Sequence, residues 1–342
     1  MSARKPVLVV GAGLSGATLA RQLAEAGIHV NVIDKRDHVA GNAFDHMTPE
    51  GIRVHKYGPH IFHTSNREVF EFLSRFTDWL PYRHRVRALL ADGREVVMPP
   101  NLDTRAAVGA DRLIDVLYRP YTRKMWGVEL EDIDPEVAAR VRVRDDHSDA
   151  YFPDDTFQFM PTLGYTAMVG NMLDHPNITV SLNTQFERAM EPLATHIFNA
   201  MPIDAYFEYR LGELPYRSIR FHQVTLPRPS VNSVATVNFT DSGPYTRFTE
   251  WKKFPGHGDN PSATVLTLEE PCDYRDNNFE RFYPVKDASG VNRATYEGYR
   301  QLVPPEMTFM GRCGLYAYLD MHQAVSSAAA IARNYLRSIL PA

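Results

Sequence analysis

Several things are scarce in this chain, and each scarcity excludes a class of protein. Cysteine occurs only as Cys272 and Cys313 in 342 residues. Their spacing fits neither a zinc site nor a disulfide framework, so two incidental thiols and a reducing, cytoplasmic compartment are expected. No long apolar run exists. Near the N-terminus the longest is PVLVVGAG, too short for a signal sequence or a membrane span, so no stable membrane insertion is expected. There is no basic excess either. Lys+Arg 37 against Asp+Glu 41 gives a net charge of −4, which argues against nucleic acid and against anionic lipid. An anionic ligand must then be held by a few placed arginines or by backbone amides. No Ser-His-Asp set, paired carboxylates, internal repeat or low-complexity segment stands out.

What is present is ordinary in bulk and specific in detail. Hydrophobic residues make up 44% and charged residues 23%, normal for a globular protein. The length suits two or three connected domains. Residues 6–34 read as strand, helix, strand: an apolar run Pro6–Val10, a helical spacing over Leu14–Ala26 closed by Gly27, and HVNVID at 29–34. That is a βαβ unit. Residues 66–80 read as one amphipathic helix. Residues 85–98 read as two strands around Ala91-Asp92-Gly93. Residues 110–126 look helical. Residues 131–150 carry alternating charge and read as a mobile, solvated loop. Strands near 178–186, 195–200, 217–224, 234–240 and 262–268 are enough for a second sheet. Residues 321–340 form a helix free of internal Gly and Pro.

The sharpest motif is GAGLSG, residues 11–16. It follows an apolar strand and opens a helix. Gly11 makes the tight turn, Gly13 lets the backbone approach a pyrophosphate, and Gly16 lets helix and strand pack closely. Leu14 and Ser15 add amides at the helix N-terminus. Asp34 ends the next strand and can accept from a ribose hydroxyl, with Lys35 beside it. An acidic residue there favours FAD or NAD over NADP, whose 2′-phosphate it would repel. Two features favour a tightly held FAD. Gly41-Asn42 follows closely, as though a loop returns over the cofactor. Downstream, MTFMGRCGLYAYLDMHQAV (307–325) reads as strand, turn, helix with Asp320 as N-cap, giving a second helix N-terminus to face a flavin.

The segment 41–64, GNAFDHMTPEGIRVHKYGPHIFHT, holds histidines at 46, 55, 60 and 63. A metal pair at His60 and His63 lacks a third ligand at a helpful spacing, so no metal is assigned. Aromatics and arginines recur further on: Tyr121 and Trp126 in PYTRKMWG, RVRVR at 140–144, Arg247 in PYTRFTEW, Tyr283 in RFYPV, Tyr318 in YAYLD. Aromatic faces suit a base or a sugar ring, and two arginines suit a pyrophosphate. Each of these taken singly is also consistent with a core aromatic or a surface arginine.

Taken together, these segments, with AMPIDAYFEYRLGELPYRSIRF and VNFTDSGPYTR, closely resemble the UDP-galactopyranose mutase family, in the same order over nearly the whole chain. The resemblance implies an α/β protein. Its Rossmann-like FAD-binding domain is assembled from 1–80, 151–215 and 301–342. A hairpin with a shortened helical lid domain occupies 81–150, and an antiparallel substrate-side sheet occupies 216–300. It implies an isomerase that interconverts UDP-galactopyranose and UDP-galactofuranose, as in galactofuranose supply for surface polysaccharides. FAD is active when reduced, by NAD(P)H or another reductant. Its N5 attacks the anomeric carbon, UDP leaves, and the ring opens and recloses through the other hydroxyl before UDP returns.

Residue by residue, Arg144 resembles the mobile-loop arginine and Arg247 the fixed one, both neutralising the pyrophosphate. Tyr121, with Thr122, and Trp126 resemble the uridine side, and Tyr283 and Tyr318 the phosphate-contacting tyrosines. Asn238 resembles the asparagine near the sugar. Arg312, Asp320, Met321, Gly41 and Asn42 resemble flavin contacts, and His60, Ile61 and His63 the flavin-side segment, with both histidines catalytic candidates. Phe157 stands where the family usually has a tyrosine near the diphosphate, and Arg85 where some members have a uridine-contacting asparagine. About twenty residues separate Pro100 from Tyr121, fewer than typical bacterial members use for the helices that help form their dimer, so the oligomeric state stays open. Alternatives are the same chemistry on UDP-N-acetylgalactosamine or dTDP-fucose, a flavin amine-oxidase-like oxidoreductase, and a nucleotide-sugar binding protein without turnover.

Overall fold

The structure, a computed structural model, describes residues 5–132 and 143–339. Its strands are β1 Val7–Val10, β2 Val30–Ile33, β3 Asp45–Met47, β4 Arg53–His55, β5 Phe62–Thr64, β6 Trp79–Pro81, β7 Val86–Leu89, β8 Glu95–Met98 and β9 Phe157–Pro161. They continue with β10 Ile178–Ser181, β11 Ile197–Asn199, β12 Tyr216–Leu226, β13 Thr236–Phe239, β14 Arg247–Glu250, β15 Thr264–Asp273, β16 Tyr283–Pro284 and β17 Met307–Phe309. The longer helices are α1 Leu14–Glu25, α2 Arg67–Leu73, α3 Leu102–Val108, α4 Arg119–Trp126, α5 Gly164–Leu173, α6 Val291–Arg300 and α7 Met321–Ile339.

Two sheets carry the fold. The first is five-stranded, in the order β10-β2-β1-β11-β17, and every pairing in it is parallel. β1 is buried at all four positions, as expected of a parallel strand covered on both faces. α1 packs on it through Ala17, Leu19, Ala20 and Leu23, all fully buried, and meets α7 through Val325, Ala328 and Ala332 in the same core. The second sheet is seven-stranded, in the order β16-β12-β15-β14-β13-β7-β8. It is antiparallel except where β7 lies parallel to β13. That junction fastens the hairpin of residues 86–98 to the sheet edge.

The structure redraws several sequence expectations. The segments near 178–186 and 195–200, counted toward a second sheet from their strand pattern but placed in the FAD-binding domain by the resemblance, are β10 and β11 of the parallel sheet, β10 at its edge and β11 between β1 and β17. A short apolar strand carries no mark of which sheet will pair it. The helix expected over 66–80 ends at Leu73, and Trp79–Pro81 becomes a strand against β9. Here aromatic packing overrides helical periodicity: Trp79 stacks on Phe62 at 4.9 Å, and Phe70 on Phe159 at 5.2 Å. The charged stretch 131–150 is only partly described, since 133–142 lie outside the described residues. Residues 143–150 are pinned rather than loose. Arg144 N donates to Pro100 O at 2.8 Å, Leu102 N to Asp146 O at 2.9 Å, and Arg105 pairs with Asp145 at 2.6 Å.

Among the described residues no helix is long and apolar enough to cross a membrane.

Candidate functional site

The glycine motif builds a cradle. Gly11 has φ +108°, open to glycine alone at no cost. A Cβ on Gly16 would lie 1.9 Å from Gly11 O, and one on Gly41 3.0 Å from Gly13 Cα. Gly13 N-caps α1 without any side-chain acceptor, which leaves first-turn amides for an anion. The 40–43 loop lies across this end, with Ala40 N donating to Ala12 O at 2.9 Å. These features fit a dinucleotide pyrophosphate. Asp34 anchors the turn: its carboxylate accepts from Ala12 N at 2.8 Å and Arg36 N at 2.9 Å. Each oxygen keeps a lone pair for a ribose hydroxyl. Leu14 is buried in the core, and Ser15 turns its hydroxyl to Ala324 O on α7 at 3.4 Å. Both therefore offer only amides to a ligand. Lys35 pairs with Glu280 at 3.7 Å.

A cavity of about 670 Å3 opens beyond this cradle, between the seven-stranded sheet, α4, the 57–63 segment and the turn into α7. It gathers most residues singled out in the sequence. Asn42, His60, Ile61, His63, Arg312, Tyr318, Asp320 and Met321 line the side toward the nucleotide fold. Tyr121, Thr122, Trp126, Asn238, Arg247 and Tyr283 line the other. Of the singled-out residues, a surface groove beside Arg83, Lys252 and Lys253 contains only Arg85.

One cross-strand row of the second sheet forms the floor. Ala88 on β7 faces Asn238 on β13, Asn238 faces Arg247 on β14, Arg247 faces Glu269 on β15, and Glu269 faces Phe221 on β12. All five line the cavity. Directly paired residues share a face of a sheet. Arg247 Nε lies 2.8 Å from Glu269 Oε2, and the Glu269 side chain is only 2% exposed. Burial opposes the Arg247 charge, but Glu269 more than offsets this and holds its pKa above the ordinary value. Burial also pushes Tyr121 up to about 12, although the Arg247 charge works the other way, so the phenol stays protonated.

α4 is fixed in place from both sides. Lys124 Nζ donates to Phe239 O at 3.0 Å and Tyr245 O at 2.9 Å. Arg217 donates to Met125 O at 2.7 Å, and Gly127 closes the helix at φ +71°. Trp126 meets Tyr283 edge-on at 6.3 Å, and Tyr283 stacks on Tyr318 at 5.7 Å. Arg312 lies 5.0 Å over Tyr318 and donates to Leu319 O at 2.7 Å. At the turn into α7, Asp320 N donates to Gln323 Oε1 at 2.9 Å.

The two histidines of the H-x-x-H do different things. His60 Nδ1 donates to Gly58 O at 2.9 Å, and burial holds the ring down at a pKa of about 4. His63 Nδ1 meets Asp155 Oδ2 at 2.7 Å, and its ring stacks on Phe152 at 3.5 Å.

Three residues singled out for the substrate side, Phe157, Arg144 and Arg85, are not in the cavity lining. Phe157 stacks on Phe70 at 4.2 Å, outside the cavity, because its register on β9 turns it toward α2. Arg144 engages Asp146 and donates to Ala150 O at 3.0 Å. Arg85 lies 3.6 Å from Asp149.

Sequence reasoning missed Glu269, Phe221, His84, Phe152, Asp155 and His322, all of which line the cavity. Only Glu269 left a signal, as a carboxylate at an inward position of the strand TVLTLEEPCD.

With this geometry in hand, the relatives are informative. The family model described as UDP-galactopyranose mutase matches residues 116–318, and one for an NAD(P)-binding Rossmann-like domain matches residues 9–76. A Klebsiella pneumoniae protein named "probable UDP-galactopyranose mutase" is 33% identical, with 98% of this chain and 96% of that protein covered. The dTDP-fucopyranose mutase of Escherichia coli is 34% identical, covering 97% and 98%. A crystal structure of reduced UDP-galactopyranose mutase superposes with a TM-score of 0.71 at 13% identity, covering 98% of this chain and 94% of that one. Cradle, cavity and near-full-length likeness agree: this chain belongs to the UDP-galactopyranose mutase family.

Proposed function

We propose that the protein interconverts the pyranose and furanose forms of a nucleotide-bound sugar, with UDP-galactose as substrate and FAD, active when reduced, as cofactor. The observation that carries this reading is the floor row, where Arg247 faces the cavity beside Asn238 and opposite the Arg312–Tyr318–Asp320 turn. FAD supplies the nucleophile, N5 of its reduced ring, and an electron sink that the side chains here do not offer.

Gly13, Gly41 and the first turn of α1 would hold its pyrophosphate, and Asp34 a ribose. Arg312, Met321 and the start of α7 would meet the ring system, where a helix N-terminus favours negative charge. Tyr121 and Trp126 would bracket the base. Arg247 would bind the substrate diphosphate and steady the charge that grows as the nucleotide departs, by charge-assisted hydrogen bonds in a site partly shut from water. Glu269 keeps that guanidinium in place. Tyr283 and Tyr318 would donate their phenol O–H groups to phosphate oxygens. Arg144 can join them only by leaving Asp146 and Ala150 O.

A second reading exchanges the substrate for a dTDP-sugar. It is favoured by the 34% identity to the dTDP-fucopyranose mutase and by an apolar end of the cavity, Val86, Ala88, Met98 and Leu117, able to accept a thymine methyl.

The test is anaerobic incubation of the dithionite-reduced protein with UDP-galactose, UDP-N-acetylgalactosamine and dTDP-fucose, with products separated by HPLC. Furanose product without consumption of reductant is expected. Stoichiometric oxidation of the substrate would show an oxidoreductase instead, and no conversion of any sugar would remove the mutase reading.

A further inference from the structure

Two of the four histidines in 41–64 were not needed for any ligand contact above. His55 is one, and its surroundings fix its chemistry. His55 Nδ1 receives the backbone N–H of His60 at 3.0 Å, so that nitrogen carries no proton. A neutral His55 must then carry its proton on Nε2, which lies 3.1 Å from Nε2 of His257. His257 Nδ1 lies 3.1 Å from Pro255 O. A carbonyl only accepts, so the proton of His257 is on Nδ1 and its Nε2 offers a lone pair to His55. The same logic at His60, whose Nδ1 faces Gly58 O, leaves Nε2 of His60 unprotonated. That atom has no hydrogen-bond partner among the described residues, and His60 lines the cavity. The proton position on each of these three rings is thus determined by a neighbour that has no choice.

We propose that His55 and His257 are positioning residues: two neutral imidazoles of opposite tautomer that set the 58–60 turn so that His60 presents its Nε2 lone pair to a donor on the bound ligand. The link spans 202 residues, from β4 to the loop after β14. Arg53 N donates to His257 O at 2.8 Å and holds the two segments in register. His55 sits in a dry box, its ring centroid 4.9 Å from that of Trp251, 5.5 Å from that of Tyr165, which it meets edge to face, and 6.3 Å from that of Phe254. Water cannot replace a lost partner there. A proton added to His257 would set two N–H groups against each other, so the pair works only while uncharged. The charged and titratable groups around it favour that state: Arg53 acts on both rings, and His46 and His60 act on His55.

The activity arm of the test rests on the mutase reading; the tautomer arm does not. Long-range 1H–15N spectra of the wild-type holoprotein at pH 7, assigned with single substitutions, should show His55 as the Nε2–H tautomer and His60 and His257 as Nδ1–H. His55 observed as Nδ1–H, or any of the three as imidazolium, overturns the proposal even if the enzyme is active. Absent turnover with the expected tautomers would sink the mutase reading alone.

His257→Phe keeps a ring but removes the acceptor. Its kcat should fall about tenfold with KM for the nucleotide sugar little changed, the effect of one oriented hydrogen bond. His257→Gln can both donate to Pro255 O and accept from His55, and should recover most of that loss. Should His257→Phe prove insoluble, the spectra and the glutamine variant decide. A His257→Gln that keeps the wild-type melting temperature yet loses turnover as fully as an acceptor-free variant would refute the relay, as would a folded His257→Phe with unchanged kcat.

Discussion

Replacing Arg247 by methionine separates two roles of one side chain. Its guanidinium faces the cavity, and its Nε lies 2.8 Å from a carboxylate that is 2% exposed. Arg247→Met therefore removes a charged donor from the ligand and strands Glu269. The first loss should lower kcat/KM by two orders of magnitude or more, since a charge-assisted bond in a shielded site is worth about 3 kcal/mol. The second should cost stability by about 3 kcal/mol, the usual penalty of an unpaired buried charge. At roughly 2.1 cal/mol/K per residue over the whole chain, that is a fall in Tm of about 4 °C. Adding Glu269→Gln relieves the stranded charge. The double variant should regain most of the lost stability and none of the lost turnover, a coupling that a double-mutant cycle measures directly. Calorimetry and steady-state assays under dithionite read the two effects separately. Near wild-type turnover in Arg247→Met would remove Arg247 from the substrate site. Turnover returning in the double variant would mean the guanidinium serves only to satisfy Glu269.

Acid should unfold the protein early. His60, His84 and His257 have pKa values near 4, 3 and 4, each lowered by burial from an ordinary 6.5. The unfolded chain binds these protons first, so stability falls as pH drops below about 6.5 and goes on falling to about 4, by about 3 kcal/mol from His257 alone. Urea midpoints that stay flat from pH 7 to 4.5 would contradict this. Gly16→Ala should prevent FAD retention, because its Cβ would strike Gly11 O; a yellow, stoichiometrically loaded variant would exclude the cradle. Asp34→Ala should purify with reduced flavin content, and full occupancy would count against the ribose role. Arg144→Ala should lose turnover at least tenfold with little change in Tm; retained activity would mean the Arg144 side chain only braces its own segment through Asp146 and Ala150 O.

Legibility followed the range of the physics. The glycine turn at 11–16 was readable because its requirements are local: a positive φ at Gly11 and a vanishing side chain at Gly16. α7 was readable for the same reason. The helix boundary after Leu73 was not, because it depends on Trp79 meeting Phe62 and on a strand 80 residues away. That the strand pattern alone did not say which sheet 178–181 and 197–199 join has the same origin. Within the site, residues standing in distinctive words, such as Tyr121 and Trp126, could be named in advance. Partners could not. Glu269 matters through Arg247 on the next strand, and Asp155 through His63, 92 positions earlier. Phe157 was misjudged because a strand's alternation, not its neighbours in sequence, decides which way it points.

The floor row has a consequence for how such a chain can diverge. Asn238, Arg247 and Glu269 share a side only while three adjacent strands keep their alignment. Inserting one residue inside β14 would turn the guanidinium to the far face and bring its neighbour inward. Additions between β13 and β14, or between β12 and β13, would leave that alignment untouched. Length in this part of the molecule can therefore drift at the bends and hardly at all in the straight runs between them.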